Sequence, residues 1–270
     1  MAKLRMTPRR LMARIEKTAL HTDTKLKPAV FMHIQKTAGT SIVDLAWQNY
    51  GYSTISHGDY VNHQPEDFQH IQFVSGHFGY EFASYFMPDR FSFTFLRDPV
   101  ERVLSFYYFC RTRNPDELPI YRKAHELSLN EFLQAGFEDP LIQDRIWNGQ
   151  VWRLARGCPN KENKRVSDYH PETLLEQAIS HLEHFSHIGF VDTFDQDLPI
   201  VLEALGIEAP AGESRSNANP QRPKTADLSE RDMALIVELT SLDHTMYEVA
   251  RSRHGDKPSD TTSSGMPFRG

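Results

Sequence analysis

Residues 35–41, Gln-Lys-Thr-Ala-Gly-Thr-Ser, gather a cation, a glycine and three hydroxyls into one short stretch. Lys36 supplies a full positive charge, Gly39 lets the backbone approach a ligand closely, and Thr40 and Ser41 add hydroxyl donors. The stretch sits between a buried apolar run and an amphipathic one. There the unpaired N–H groups of a helix N-terminus face an anion. It is not the Walker order G-x-x-x-x-G-K-[ST], because the lysine precedes the glycine and the first glycine is missing. A Walker loop holds a triphosphate with Mg²⁺, whereas this shorter loop with an early lysine fits a smaller anionic group. The plain alternative is an ordinary turn with a solvated lysine.

A second cationic position follows at Arg97, with Ser105 two turns into the next helix and Arg102 three residues before Ser105 on a shared face. An arginine at the end of a strand lies at the edge where open α/β sheets bind ligands. Guanidinium and hydroxyl together suit a phosphate, since arginine offers a fork of donors. Two readings stand open for Arg97: that phosphate contact, or an ion pair with Asp98 or Glu101. No H-x-x-x-H, C-x-x-C or paired-carboxylate spacing marks a metal site.

The elements that must position these groups alternate. Residues 28–34 (PAVFMHI), 71–75 (IQFVS) and 91–96 (FSFTFL) read as buried strands, with a short strand at 187–191. A helix follows the first loop with Ile42, Val43, Leu45, Ala46, Trp47 and Tyr50 on its apolar face, and Gly51 ends it. A second helix opens at Asp98, an N-cap, with Pro99 at the first position and Glu101 completing a capping box. Residues 128–157 are expected to be helical, with a second start at Pro140, as are 171–185, 194–205 and 229–253. Residues 208–227 form a long loop. This alternation predicts an α/β fold, a P-loop-like parallel sheet with helices on both faces.

The chain has 270 residues and a net charge of −6, which excludes a general nucleic-acid binder and confines any basic site to a local patch. Residues 1–27 form a basic arm, 28–254 the folded domain and 255–270 a disordered tail. The arm has no continuous apolar stretch. Its Leu4, Leu11, Met12 and Ile15 give at most a weak peripheral contact with acidic lipid. No run approaches the roughly 18 apolar residues of a membrane span. Cys110 and Cys158 are far apart and read as free thiols.

The two loops, K-T-x-G-T-S and R-D-P-x-x-R-x-x-S, together resemble the PAPS-dependent sulfotransferases, in particular the carbohydrate branch that includes heparan sulfate 2-O-sulfotransferase. The segments FMHIQKTAGTSI and FTFLRDPVERVLSFYYF carry the match, with SGHFGY (75–80), HIGFVDTFDQDL (187–198) and LDHTMYEVA (242–250) as further anchors. The resemblance implies a sulfotransferase fold and the donor 3′-phosphoadenosine 5′-phosphosulfate (PAPS), released as PAP. Lys36, Thr37, Ala38, Gly39, Thr40 and Ser41 would then bind the 5′-phosphosulfate, and Arg97 and Ser105 the 3′-phosphate. The late segment NANPQRPK resembles the loop that closes over the nucleotide, and brings in Arg222 and Lys224.

The same resemblance implies a histidine general base. His77 matches the second histidine of the H-G-H-type segment of the 2-O branch, and Ser75 replaces the first. His57 and Asp59, in ISHGDY, are the reserve candidates for the base, and His33 reads as packed. The acceptor is expected to be a hydroxyl, of a carbohydrate or another alcohol, and no metal is required. The animal relatives carry a membrane anchor that this sequence lacks, so the expectation is a soluble, bacterial-type, cytoplasmic enzyme. Two other readings stay open: a P-loop-type kinase of a small metabolite, which would need Mg²⁺ at Thr37, and a non-catalytic nucleotide- or glycan-binding homologue.

Overall fold

The computed structural model describes residues 26–157, 162, 164–208 and 225–255. Among them one parallel sheet is built from β1 (Ala29–Met32), β2 (Ile55–Gly58), β3 (Phe73–Gly76), β4 (Phe91–Leu96) and β5 (His187–Phe190). The strand order is β2-β3-β1-β4-β5. Around it run α1 (Gly39–Asn49), α2 (Tyr80–Ala83), α3 (Pro99–Arg111), α4 (Pro119–Glu126), α5 (Leu129–Ala135) and α6 (Pro140–Ile146). Then come α7 (Gly149–Ala155), α8 (Pro171–Leu182), α9 (Phe194–Leu205), α10 (Glu230–Leu239) and α11 (Ser241–His254). The N-terminal arm before Leu26, Cys158, most of the late loop and the tail lie outside the described residues. Among the described residues no helix is long and apolar enough to cross a membrane.

Strands of a parallel sheet are buried on both faces, so they need apolar residues at consecutive positions. Alternation then sends neighbours to opposite layers. Ala29, Phe31, Phe73, Phe93 and Phe95 pack with α1 and α9, while Val30, Met32, Val74, Leu96, Ile188 and Phe190 pack with α7, α8 and α11. Phe31 stacks on Phe93 with ring centres 4.6 Å apart. Each fully buried phenyl contributes about 1.5–3 kcal/mol of burial. A third core joins α3, α4, α5, α6 and α10 beside the sheet. The expected parallel sheet with helices on both faces is the one found.

Several local expectations need correction. β2, α2 and α4 stand where the sequence pattern marks no element. β2 pairs only with β3, at the edge of the sheet, and only its Ile55 is buried, so no apolar run marks it. Asp98 does cap α3, accepting from the Glu101 N–H at 2.9 Å, but the Glu101 carboxylate turns to Arg97 instead of closing a capping box. The helical reading from Pro140 breaks at Asn148, whose φ of 45° is left-handed. The last helix breaks at Thr240 into α10 and α11.

These two breaks meet and satisfy each other. Asn148 Oδ1 accepts from the N–H groups of Leu242 (2.9 Å) and Asp243 (3.2 Å), at the start of α11. The Asp243 carboxylate accepts from those of Gln150 (3.0 Å) and Val151 (2.7 Å), at the start of α7. Each orphan helix end is thereby capped by a side chain from the other helix. Burial pushes the Asp243 carboxyl above its usual range, against the pull of the Arg102 guanidinium and the two N–H groups.

Candidate active site

The C-terminal edge of the sheet opens into a cavity of about 1230 Å³. One wall is the turn between β1 and α1. Lys36, Ala38, Gly39, Thr40 and Ser41 all line the cavity. Lys36 and Ala38 hold left-handed backbone angles, φ 71° and 62°, which is uncommon outside glycine and typical of backbone held for function. Ala38 offers α1 no side-chain cap, so the N–H groups of the first turn stay available at the cavity. Gly39 has a steric reason to be glycine: a Cβ there would stand 2.2 Å from the His33 ring. Thr37 does not present its side chain to the cavity. It is fully buried, and its hydroxyl donates inward to the Ile34 carbonyl at 2.8 Å. That hydroxyl is therefore not turned toward a Mg²⁺ ion in the cavity, as a kinase would require.

Lys36 Nζ lies 3.9 Å from the centre of the Phe109 ring, a cation–π contact that keeps the ammonium over the cavity. Arg97 and Ser105 line the same cavity from the β4–α3 junction. Of the two open readings of Arg97, the ion pair with Glu101 is present. Its Nη2 donates to Glu101 at 3.1 Å, and its Nη1 donates to the Lys36 carbonyl at 3.3 Å, tying it to the phosphate turn. Its backbone is clamped by Gln150, whose side chain accepts from the Arg97 N–H at 3.0 Å and donates to its carbonyl at 2.8 Å. Arg102 does not join this site. It is almost fully buried and donates to the carbonyls of Arg145 and Ile146. Arg222 and Lys224 lie outside the described residues. Next to them, Thr225 reaches the cavity and donates its hydroxyl to Glu101.

A second wall, adjoining the turn where Gly39 meets the His33 ring, comes from β1, β3 and β2 in register. Phe31, Ser75 and His57 form one row. Two residues on, where the His33 N–H donates to the Gly76 carbonyl and the His77 N–H to the Gly58 carbonyl, His33, His77 and Asp59 form another. Cross-strand neighbours on one face touch. His57 Nδ1 is 2.7 Å from Ser75 Oγ, and His77 Nδ1 is 2.7 Å from Asp59 Oδ1. Ring centres are 4.9 Å apart for His33 and His77, 5.7 Å for His33 and His57, and 5.6 Å for His57 and His77.

Burial holds the His33 imidazole well below the ordinary histidine range, helped by the charges that His77, His57 and Lys36 would carry. Burial lowers His57 as well, with His77 adding to it and Asp59 opposing. The hydrogen bond from His77 is the main reason the Asp59 carboxyl lies below its usual range, against the effect of burial. His33 and His57 are thus neutral at pH 7, next to an ionised Asp59. The remaining thiol of interest, Cys110, is buried, and burial pushes it up to about 12, so it is no nucleophile.

The cavity brings Lys36, Ala38, Gly39, Thr40, Ser41, Arg97, Ser105 and His77 together, as well as both reserve candidates, His57 and Asp59. Sequence reasoning missed the supports: Gln150 behind Arg97, Asp243 behind Gln150, and Phe109 beneath Lys36. Phe109 lies in the FYYF run that follows Ser105 on α3 and Asp243 in the LDHTMYEVA segment, whereas Gln150 left no signal.

A family model described as the sulfotransferase family matches residues 21–248. No curated protein matches the chain closely enough to name as a relative.

Proposed function

The chain belongs to the sulfotransferase family, and from that premise we propose that its donor is PAPS, its acceptor a carbohydrate hydroxyl and its general base His77. One observation supports this reading above the rest. A cationic turn whose helix N-terminus carries no side-chain cap, a clamped arginine and a hydrogen-bonded histidine line a single cavity. Two separated cationic positions suit a nucleotide carrying a phosphate at each end, with the loop of Lys36 on the 5′-phosphosulfate and Arg97 with Ser105 on the 3′-phosphate. PAPS supplies an activated sulfuryl group.

The residues divide the work as follows. His77 presents Nε2 to the acceptor because its Nδ1 is engaged by Asp59. As the acceptor oxygen bonds to sulfur, His77 Nε2 takes its proton, and the bond from sulfur to the 5′-phosphate oxygen breaks. Asp59 orients the ring and steadies the imidazolium that forms. Lys36 and the N–H groups of α1 face the leaving phosphate oxygen as it gains charge, and their fixed placement stabilises it. A sulfuryl group carries less charge than a phosphoryl group, so the step needs no metal. The test is transfer of radiolabelled sulfate from PAPS to a panel of polysaccharides, oligosaccharides and small alcohols. Label is expected in a carbohydrate. Labelling of small alcohols alone would overturn the acceptor, and no labelling of any member would overturn the donor and the base.

A further inference from the structure

We propose that His33, His57 and His77 form a binding site for one divalent transition-metal ion of the zinc class, set in the cavity beside the phosphate turn. The three residues are scattered in sequence and meet because three parallel strands end at one edge. Each offers a ring nitrogen, and these nitrogens all lie within 4.8 Å of one another. Zinc–imidazole bonds of about 2.0–2.1 Å in a tetrahedron put the nitrogens about 3.3 Å apart. The rings therefore close on an ion by up to about 1.5 Å, within reach of side-chain rotation.

The surroundings of the rings point the same way. Metal-bound histidines commonly give their second ring N–H to a carboxylate or another oxygen, which fixes tautomer and orientation. His77 has Asp59 at that position, and His57 has Ser75. In both rings the Nε2 is then the nitrogen with a lone pair to give. His33 is 6% exposed, and its Nδ1 has no hydrogen-bond partner. A buried ring nitrogen left without a partner is uncommon and calls for one. Three imidazoles leave the fourth tetrahedral position open to the cavity. An all-imidazole set favours zinc, copper, nickel or cobalt over magnesium and calcium.

The site has a consequence that rests on the proposed function. An ion held by His77 Nε2 occupies the lone pair that would take the acceptor proton, so zinc and general-base catalysis exclude each other, and zinc is a reversible inhibitor.

Binding is tested without donor or acceptor. The full chain is dialysed against a chelator, then titrated with Co²⁺ while the visible absorption of four-coordinate cobalt is followed, and Zn²⁺ is added last. One cobalt per chain, saturating at micromolar concentration and displaced by zinc, is expected. His57→Gln should weaken binding by more than about 100-fold, and Asp59→Asn, a change at an exposed side chain, by about 10–100-fold. Absence of saturable binding, or binding that both variants leave unchanged, overturns the site. A sulfate-transfer assay with added zinc keeps the two proposals apart. Inhibition reversed by chelator supports both. Cobalt binding without zinc inhibition retains the metal site and removes His77 as base.

Discussion

The two walls of the cavity reach their geometry by different means. The phosphate wall is fixed through backbone. The turn holds two left-handed residues, and the Arg97 main chain is gripped by Gln150, whose own N–H is held by Asp243. The two supports behind Arg97, Gln150 and Asp243, are 0% exposed. The histidine wall is fixed through side chains. His77 depends on one hydrogen bond to Asp59, whose side chain is 66% exposed. A site for an invariant group, the two phosphates of the proposed donor, tolerates construction from the fold itself. A site where a proton must move, and where an acceptor must enter, is built from parts that rotate. The phosphate wall should therefore fail by unfolding, and the histidine wall by losing chemistry.

The largest effect is expected deep in the phosphate wall. Asp243→Ala removes the cap from α7, leaves the N–H groups of Gln150 and Val151 unpaired, and takes the nearest counter-charge from the buried Arg102. Losing one member of a buried charged set typically costs about 3–5 kcal/mol. Urea unfolding should show a loss of that size, a third or more of the stability of an ordinary domain. A loss below about 1 kcal/mol would mean that water replaces the carboxylate, and that the wall is not fixed in the way described.

Next comes the histidine wall. His77→Ala should keep its urea midpoint and its affinity for PAP while kcat falls by roughly 10²–10⁴, the usual worth of a general base. Lys36→Ala should lose both kcat and donor affinity, because the phosphosulfate is anionic before charge develops on the leaving oxygen. Calorimetric PAP binding beside single-turnover rates separates the two. If His77→Ala lost PAP affinity as Lys36→Ala does, the walls would not be independent.

How much of this was legible in the sequence follows the same division. The turn at 35–41 and the junction at Arg97 could be read because their neighbours are apolar runs with strong start signals: PAVFM ahead of one, FSFTFL with Asp98 and Pro99 around the other. The supports could not be read. Gln150 and Asp243 look like ordinary polar residues of helices, and their meaning lies in contacts 93 residues apart. Arg97 and Arg102 have the same side chain five positions apart, yet one lines the cavity and the other is buried. Helical spacing alone does not separate them. The grouping of His57 with His77 was hidden because β2, an edge strand with one buried residue, has no pattern to show. The family resemblance reached His77 by its segment but said nothing of the ring that faces it.

The smallest expected effect is the most discriminating, because its sign is at issue. Glu101 accepts from Arg97 at 3.1 Å and also from Thr225, which sets a carboxylate beside the proposed 3′-phosphate contact. It can help the donor by holding the guanidinium in place, or hinder it by setting a negative charge beside an incoming phosphate. Glu101→Gln keeps an acceptor oxygen for Arg97 and Thr225 and removes the charge. The Arg97 backbone is already held by Gln150, so positioning has a second source, whereas the repulsion has none. Partly exposed charge pairs are worth about 0.2–1 kcal/mol. Glu101→Gln should therefore bind PAP roughly twofold to fivefold more tightly, with the gain shrinking as salt is added. Arg97→Ala, measured alongside, should weaken PAP binding and raise the donor KM while leaving kcat nearly unchanged, since its contact is remote from sulfur and uniform through the reaction. If Glu101→Gln instead weakened binding, the ion pair would be part of how the arginine is aimed, and the phosphate wall would share the side-chain dependence of the histidine wall.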